Sequence, residues 1–257
     1  MPRLFRALAA LALVAVFAGC DSSSPEGPPP TIAPAAFSVS AFPGAASASG
    51  ASADASARVG SHFLNAAGRV AIVSAAVGVH LILPEAATRA ATAVEPTAAG
   101  ETWLWDTTVD VRGTPVEIRL EATARGSETD WRLSTAANGG ERFTYYTATT
   151  SDEGKAGTWR LFLPNEDGVV LQAAFDVRDE SGREVTFSVP EGRPLGGSSV
   201  RYGTEGTARS FDWREEPSGA QTVVRWDAET RAGSIEAETY NGGARACWDA
   251  GLDNVDC

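Results

Sequence analysis

Lysine occurs once in these 257 residues, at Lys155, methionine once, histidine twice and cysteine three times. With 21 basic against 33 acidic residues and a formal charge of -12, the chain lacks the basic surface a phosphate backbone requires, which argues against nucleic acid as a partner. The two histidines, His62 and His80, have no cysteine or histidine partner at metal-ligand spacing, and HExxH is absent. A GxSxG elbow, a phosphate-cradling glycine loop and a dinucleotide fingerprint are missing too, so no catalytic residue, metal or cofactor is assigned and an enzyme is not expected. Acids are plentiful, but nothing in their spacing pairs two carboxylates for hydrolysis, and solvated strand faces account for them. Asp249 and Asp253 match no ligand spacing, and Asn165–Gly168 (NEDG) reads as a hairpin turn rather than a calcium loop.

What is present begins with an export signal. Arg3 and Arg6 precede an apolar run from Ala7 to Ala18, and small residues lead to Cys20. A basic start, a short apolar core and small residues at the cut describe a secretory signal, not a membrane span. Ala18-Gly19-Cys20 resembles the lipobox of bacterial lipoproteins, with Phe17 where family members usually carry Leu. The resemblance implies that residues 1–19 are removed and that Cys20 is lipidated on sulfur, palmitate being one of the acyl groups, and becomes the new N-terminus. Loss of Arg3 and Arg6 takes the formal charge from -12 to -14, because no acid precedes Cys20. An acidic body is not drawn to anionic lipid, so the acyl chains must hold the domain to the inner or outer membrane of the cell envelope, outside the cytoplasm. Residues 20–57 are rich in Ser, Ala, Gly and Pro and read as a tether, against which Phe37, Val39 and Phe42 are the few side chains able to pack as a stray strand.

The domain is expected over residues 58–257. Arg58–Leu83 places Val59, Phe63, Val70, Val73 and Val77 on one helical stripe, and its second half is apolar nearly all round. Val70–Leu83, at 14 residues, is too short to span a bilayer, and Pro84 suits the first turn of a second short helix. A helix that is greasy on most sides is expected to be covered on most sides.

From Thr102 onward the chain alternates with period two, and aromatics stand in register. Trp103, Trp131, Trp159 and Phe187 lie 28 residues apart, and Trp213 follows at 26. Gly113, Gly140, Gly168, Gly197, Gly219 and Gly243 sit in the turns between, which predicts six hairpins and about twelve strands. In VEIRLEAT, Val116, Ile118, Leu120 and Ala122 share one face while Glu117, Arg119 and Glu121 share the other, so the sheet buries a single side. The fold class is therefore α+β: an N-terminal apolar helix packed on a long antiparallel meander, which must curl to hide its apolar face.

In element order the domain resembles the periplasmic half-barrels of lipoprotein carriers and their receptors, where a helix and a concave sheet hold acyl chains. That resemblance implies a half-barrel and carries over no functional residue. Cys247 and Cys257, the only cysteines after Cys20, predict a disulfide in an oxidising compartment. Two roles follow. One is a binding module for a lipid or other apolar ligand, its cavity lined by Trp103, Trp131, Leu161, Phe175 and Phe187. The other is a structural lipoprotein with a filled core that presents its edges or acidic face to an envelope protein.

Overall fold

The computed structural model describes Pro25, residues 27–32, 59–178 and 182–257. The signal, Cys20, and Phe37, Val39 and Phe42 lie outside the described residues. Among the described residues one helix, α1 (Ser61–Thr92), is followed by fourteen strands: β1 Thr97–Ala99, β2 Thr102–Val111, β3 Thr114–Arg125, β4 Glu128–Ala137, β5 Phe143–Ser151, β6 Ala156–Leu161 and β7 Leu171–Val177. The series continues with β8 Gly182–Ser188, β9 Ser199–Glu205, β10 Ala208–Arg214, β11 Gln221–Asp227, β12 Gly233–Ala237, β13 Ala246–Trp248 and β14 Asn254–Val255. Every strand pairs with its neighbours in sequence, and β1 and β14 are the two free ends, so this is one open antiparallel meander.

The aromatic period maps onto the sheet directly. Trp103, Trp131, Trp159, Phe187 and Trp213 fall on β2, β4, β6, β8 and β10, one hairpin apart. The six glycine turns join β2 to β3, β4 to β5, and so on to β12 and β13. The twelve strands expected are β2–β13. The count rises to fourteen because short edge strands cap both ends, and pieces of three and two residues leave no periodicity to read. The alternation holds as well: Ile118, Leu120 and Ala122 are buried, and Arg119 on the wet face meets Asp106 through two bonds of 2.7 and 3.0 Å. The register shift at Leu133/Ser134 puts both of these adjacent residues on the buried side.

Three helical expectations need correction. The helix lies at residues 61–92, away from the chain's N-terminus. It is one element, running straight past Pro84 to Thr92 instead of restarting there. Pro84 gives up the bond to the His80 carbonyl, but its ring is buried and the good helix formers EAATRAAT carry the helix on. Nor is the helix covered on most sides. Phe63, Ala66, Val70, Val73, Val77, Leu81, Ala87 and Ala91 face the sheet and are buried, while Ile72 is 72% exposed, Val79 62% and Ile82 66%. By length and composition this helix could cross a membrane; packing against the sheet holds its inner side instead.

The helix runs across the strands. The Phe63 ring stands edge-on to Trp248 of β13 at 5.8 Å, and Ser74 Oγ lies 3.0 Å from the Tyr202 hydroxyl of β9. Thr88 Oγ1 then lies 2.9 Å from the Tyr146 hydroxyl of β5. Phe63 to Thr88 is a rise of about 38 Å along a helix. Eight strand spacings, from β13 to β5, also amount to about 38 Å. The lengths agree, so α1 lies crosswise over the strands from β13 to β5.

Both ends are fastened. Cys247 and Cys257 stand at disulfide distance, their Cα atoms 5.3 Å apart, and Cys247 pairs with Val255 across β13 and β14. The loop so closed also caps the helix: the Gly60 N–H donates to the Leu252 carbonyl at 2.8 Å and the His62 N–H to Asn254 Oδ1 at 3.0 Å. Gly60 is needed there, because a Cβ would run into Asn254 and Leu252. Asn254 supplies the capping oxygen that no residue of the helix's own N-terminus provides. His62 is partly buried there, with Nδ1 2.7 Å from the Tyr240 hydroxyl.

Candidate functional site

The most apolar of three hollows lies on one flank of α1. It has a volume of about 510 Å³ and is mainly apolar. Ile72, Val73, Ala76, Val77 and His80 form its helical wall, and Leu171, Phe187, Val200 and Trp213 its floor on β7–β10. The outer wall is made by two loops, with Leu163 and Glu166 from the β6–β7 connection and Arg193, Pro194 and Leu195 from the β8–β9 connection. Arg193 clamps these loops together: its Nε donates to the Val169 carbonyl at 3.0 Å, and its other nitrogens reach Glu166 and the Asp167 carbonyl. The groove therefore has a built rim rather than two loose loops.

A helix about 10 Å wide leaves such a flank because seven-residue strands extend about 23 Å beneath it. His80, half-buried, stands with Glu166, Arg193 and Glu215 as the polar groups at this rim. Leu195, with φ 61° and 54% exposed, holds a large apolar side chain at the mouth.

A second hollow of about 440 Å³ lies at the other end of α1, among Glu85, Thr88, Arg89, Thr92, Trp105 and Trp131. Part of the expected tether is docked here: Pro29, Pro30, Thr31 and Ile32 form one side, and Ile32 packs on the core. The Thr31 carbonyl passes where a Cβ of Gly154 would stand. A third hollow, about 530 Å³, opens on the wet face of β2–β6 and is polar, with Arg125 paired to Asp130 and Arg132 facing Glu121.

The five side chains read as a cavity lining do not meet around one space. Phe187 floors the flank groove. Trp131 borders the other two hollows and donates its indole N–H to Thr150 Oγ1 at 2.9 Å. Leu161 and Phe175 are buried in the core and border none of the three, and Trp103 is partly buried against that core. Period two reports that a residue faces the helix side; it cannot report whether helix atoms fill the space above it. The groove residues that sequence reading missed, Leu163, Pro194 and Leu195, lie in loops, where periodicity carries no signal.

Burial sets the polar chemistry under the helix. Burial pushes the Tyr202 phenol up to about 12 against the opposing bond from Ser74, and raises Tyr146 further in the same way beside Thr88. Both are neutral hydrogen-bonding pins across the helix–sheet interface at ordinary pH. Asp249 Oδ1 accepts from the backbone N–H of Gly251 and of Asp253, at 2.8 and 3.0 Å, and so serves its own turn. Among the described residues no group of three or more His, Cys, Asp or Glu side chains comes together.

Compared with protein-family models, with curated proteins and with solved structures, the chain matches none.

Proposed function

We propose that this chain is an envelope lipoprotein, held to the membrane by acyl chains on Cys20, and that it is a non-enzymatic binding module taking an apolar ligand such as a lipid in the groove between α1 and β7–β10. The observation carrying the reading is the groove itself. A volume of about 510 Å³ with an apolar floor and a few polar groups at one rim is the usual form of a small-molecule site. A hydrocarbon tail suits the floor of Leu171, Phe187 and Val200, and a polar head suits the rim at His80 and Arg193. The half-barrel form belongs to the same proposal. The anchor rests on the lipobox resemblance, and the non-enzymatic role on the missing catalytic motifs.

One observation favours the structural alternative. Directly beneath α1 the core is filled, with Leu120, Leu133, Phe211 and Val224 inaccessible to solvent. A ligand is thereby confined to the flank.

Native mass spectrometry of protein purified from its own membrane, with titration of a fluorescent fatty acid, tests the groove. A co-purified lipid and saturable binding are expected, with Leu195→Glu weakening binding about tenfold by placing a charge at the apolar mouth. No saturable binding, or an unaffected Leu195→Glu protein, sinks the ligand reading and leaves the structural one. Metabolic palmitate labelling tests the anchor separately: Cys20→Ser is expected to abolish it, because acylation needs the thiolate.

A further inference from the structure

The outward side of α1 is apolar from Leu64 to Leu83, before the exposed Glu85–Arg89 pair. Leu64, Ile72, Val79, Ile82 and Leu83 are 46, 72, 62, 66 and 49% exposed and share a face by helical spacing. Between Arg69 and Glu85 the chain reads VAIVSAAVGVHLILP, without a formal charge. Its polar members are accounted for, Ser74 by Tyr202 and His80 by the groove rim. An uncharged run of 15 residues, about 22 Å of helix, with this exposed side exceeds the scattered apolar residues that a water-facing surface normally carries.

The docked segment decides what covers it. Pro29–Ile32 lies beside Glu85, Thr88, Arg89 and Thr92, one turn from Ile82 and Leu83. Only eight residues separate Pro29 from Cys20, a reach of at most about 30 Å. With acyl chains on Cys20, the C-terminal end of α1 is therefore held at the bilayer and not at the end of a long tether. We propose that this stripe rests on the lipid surface, with Val79, Ile82 and Leu83 entering the boundary between headgroups and acyl chains and the sheet facing away. The favoured surface is electrically neutral, since the stripe carries no base and the chain's formal charge is -12. Proximity rests on the anchor reading above; the chemistry of the stripe does not.

The test uses the chain as it stands after signal removal, residues 20–257, carrying Cys20→Ser so that no acyl chain contributes. It is floated with phosphatidylcholine vesicles at millimolar lipid. Recovery with the vesicles is expected, and Val79→Glu with Ile82→Glu, both at exposed positions outside the groove, is expected to lower the partition coefficient at least tenfold while the thermal melt is unchanged. Equal recovery of the two proteins, or recovery of neither, overturns the proposal. So does a dimer in lipid-free buffer that the double variant dissociates, which assigns the face to a second copy. The mass of the protein purified from its own membrane reports acylation independently, so a missing acyl chain refutes the anchor without deciding the stripe.

Discussion

The two sides of α1 have nearly the same composition and opposite fates. The inner side, with Phe63, Ala66, Val70, Val73, Val77 and Leu81, is buried and pinned by hydroxyl bonds to Tyr202 and Tyr146. The outer side, with Ile72, Val79 and Ile82, is as apolar and stands in the open. Hydrophobicity alone therefore does not say which face of a helix is core. What separates them is that one face meets aromatic side chains of the sheet, Trp248, Tyr202 and Tyr146 among them, and the other is left largely exposed.

The largest effect that could break this comparison is a charge placed on each side in turn. Val70→Asp, with an unpaired carboxylate forced against the sheet, is expected to cost about 3–5 kcal/mol, whereas Val79→Asp should stay within about 0.5 kcal/mol. Urea unfolding of the two proteins would read both, and equal losses would show that the outer face is covered in solution. A smaller effect concerns the fastening at the helix start. Cys247→Ser opens a loop of sequence separation 10, and the chain-entropy account puts the loss under about 3 kcal/mol. Because Leu252 and Asn254 cap α1 from inside that loop, faster amide exchange at residues 61–64 should accompany it, and unchanged exchange there would separate the cap from the disulfide.

The smallest effect belongs to the pins. Tyr202→Phe is expected to cost about 1 kcal/mol at neutral pH, as a hydrogen bond is lost with little change in packing. Its pH dependence is distinctive. The folded phenol titrates near 12 against an ordinary value of 10.0, so above pH 10 the unfolded chain releases a proton that the folded chain retains. Stability from this group is complete below pH 10 and falls between pH 10 and 12. Melting temperatures across that range should decline less steeply in Tyr202→Phe than in the parent protein. Parallel declines would mean that the phenol is hydrated in the folded state.

Much of the sheet was legible in the sequence. Trp103, Trp131, Trp159 and Phe187 at 28-residue intervals, with a glycine turn inside each interval, correctly predict one hairpin per period, and the alternation in VEIRLEAT correctly predicts the buried side of β3. Local backbone rules suffice for that, because alternation and turn chemistry act between residues close in sequence. The candidate site was legible only in fragments. Phe187 was named for the cavity and floors the groove, but Leu161 and Phe175 share its signature and are simply core. Leu195 and Arg193, which shape the mouth, carry no periodic signal.

By itself the sequence determined the order of elements, the hairpin period, the inward face of the sheet and the pairing of Cys247 with Cys257, all of which depend on near neighbours or on there being few partners to choose from. Tertiary structure alone decided that the helix runs on through Pro84 and that it lies across the strands. It also decided that Pro29–Ile32 returns to dock on the domain and that one apolar side of α1 is left outside. The physical reason is that burial belongs to the space between elements. A side chain's solubility states what it would gain by leaving water, and only the arrangement of distant segments determines whether it leaves.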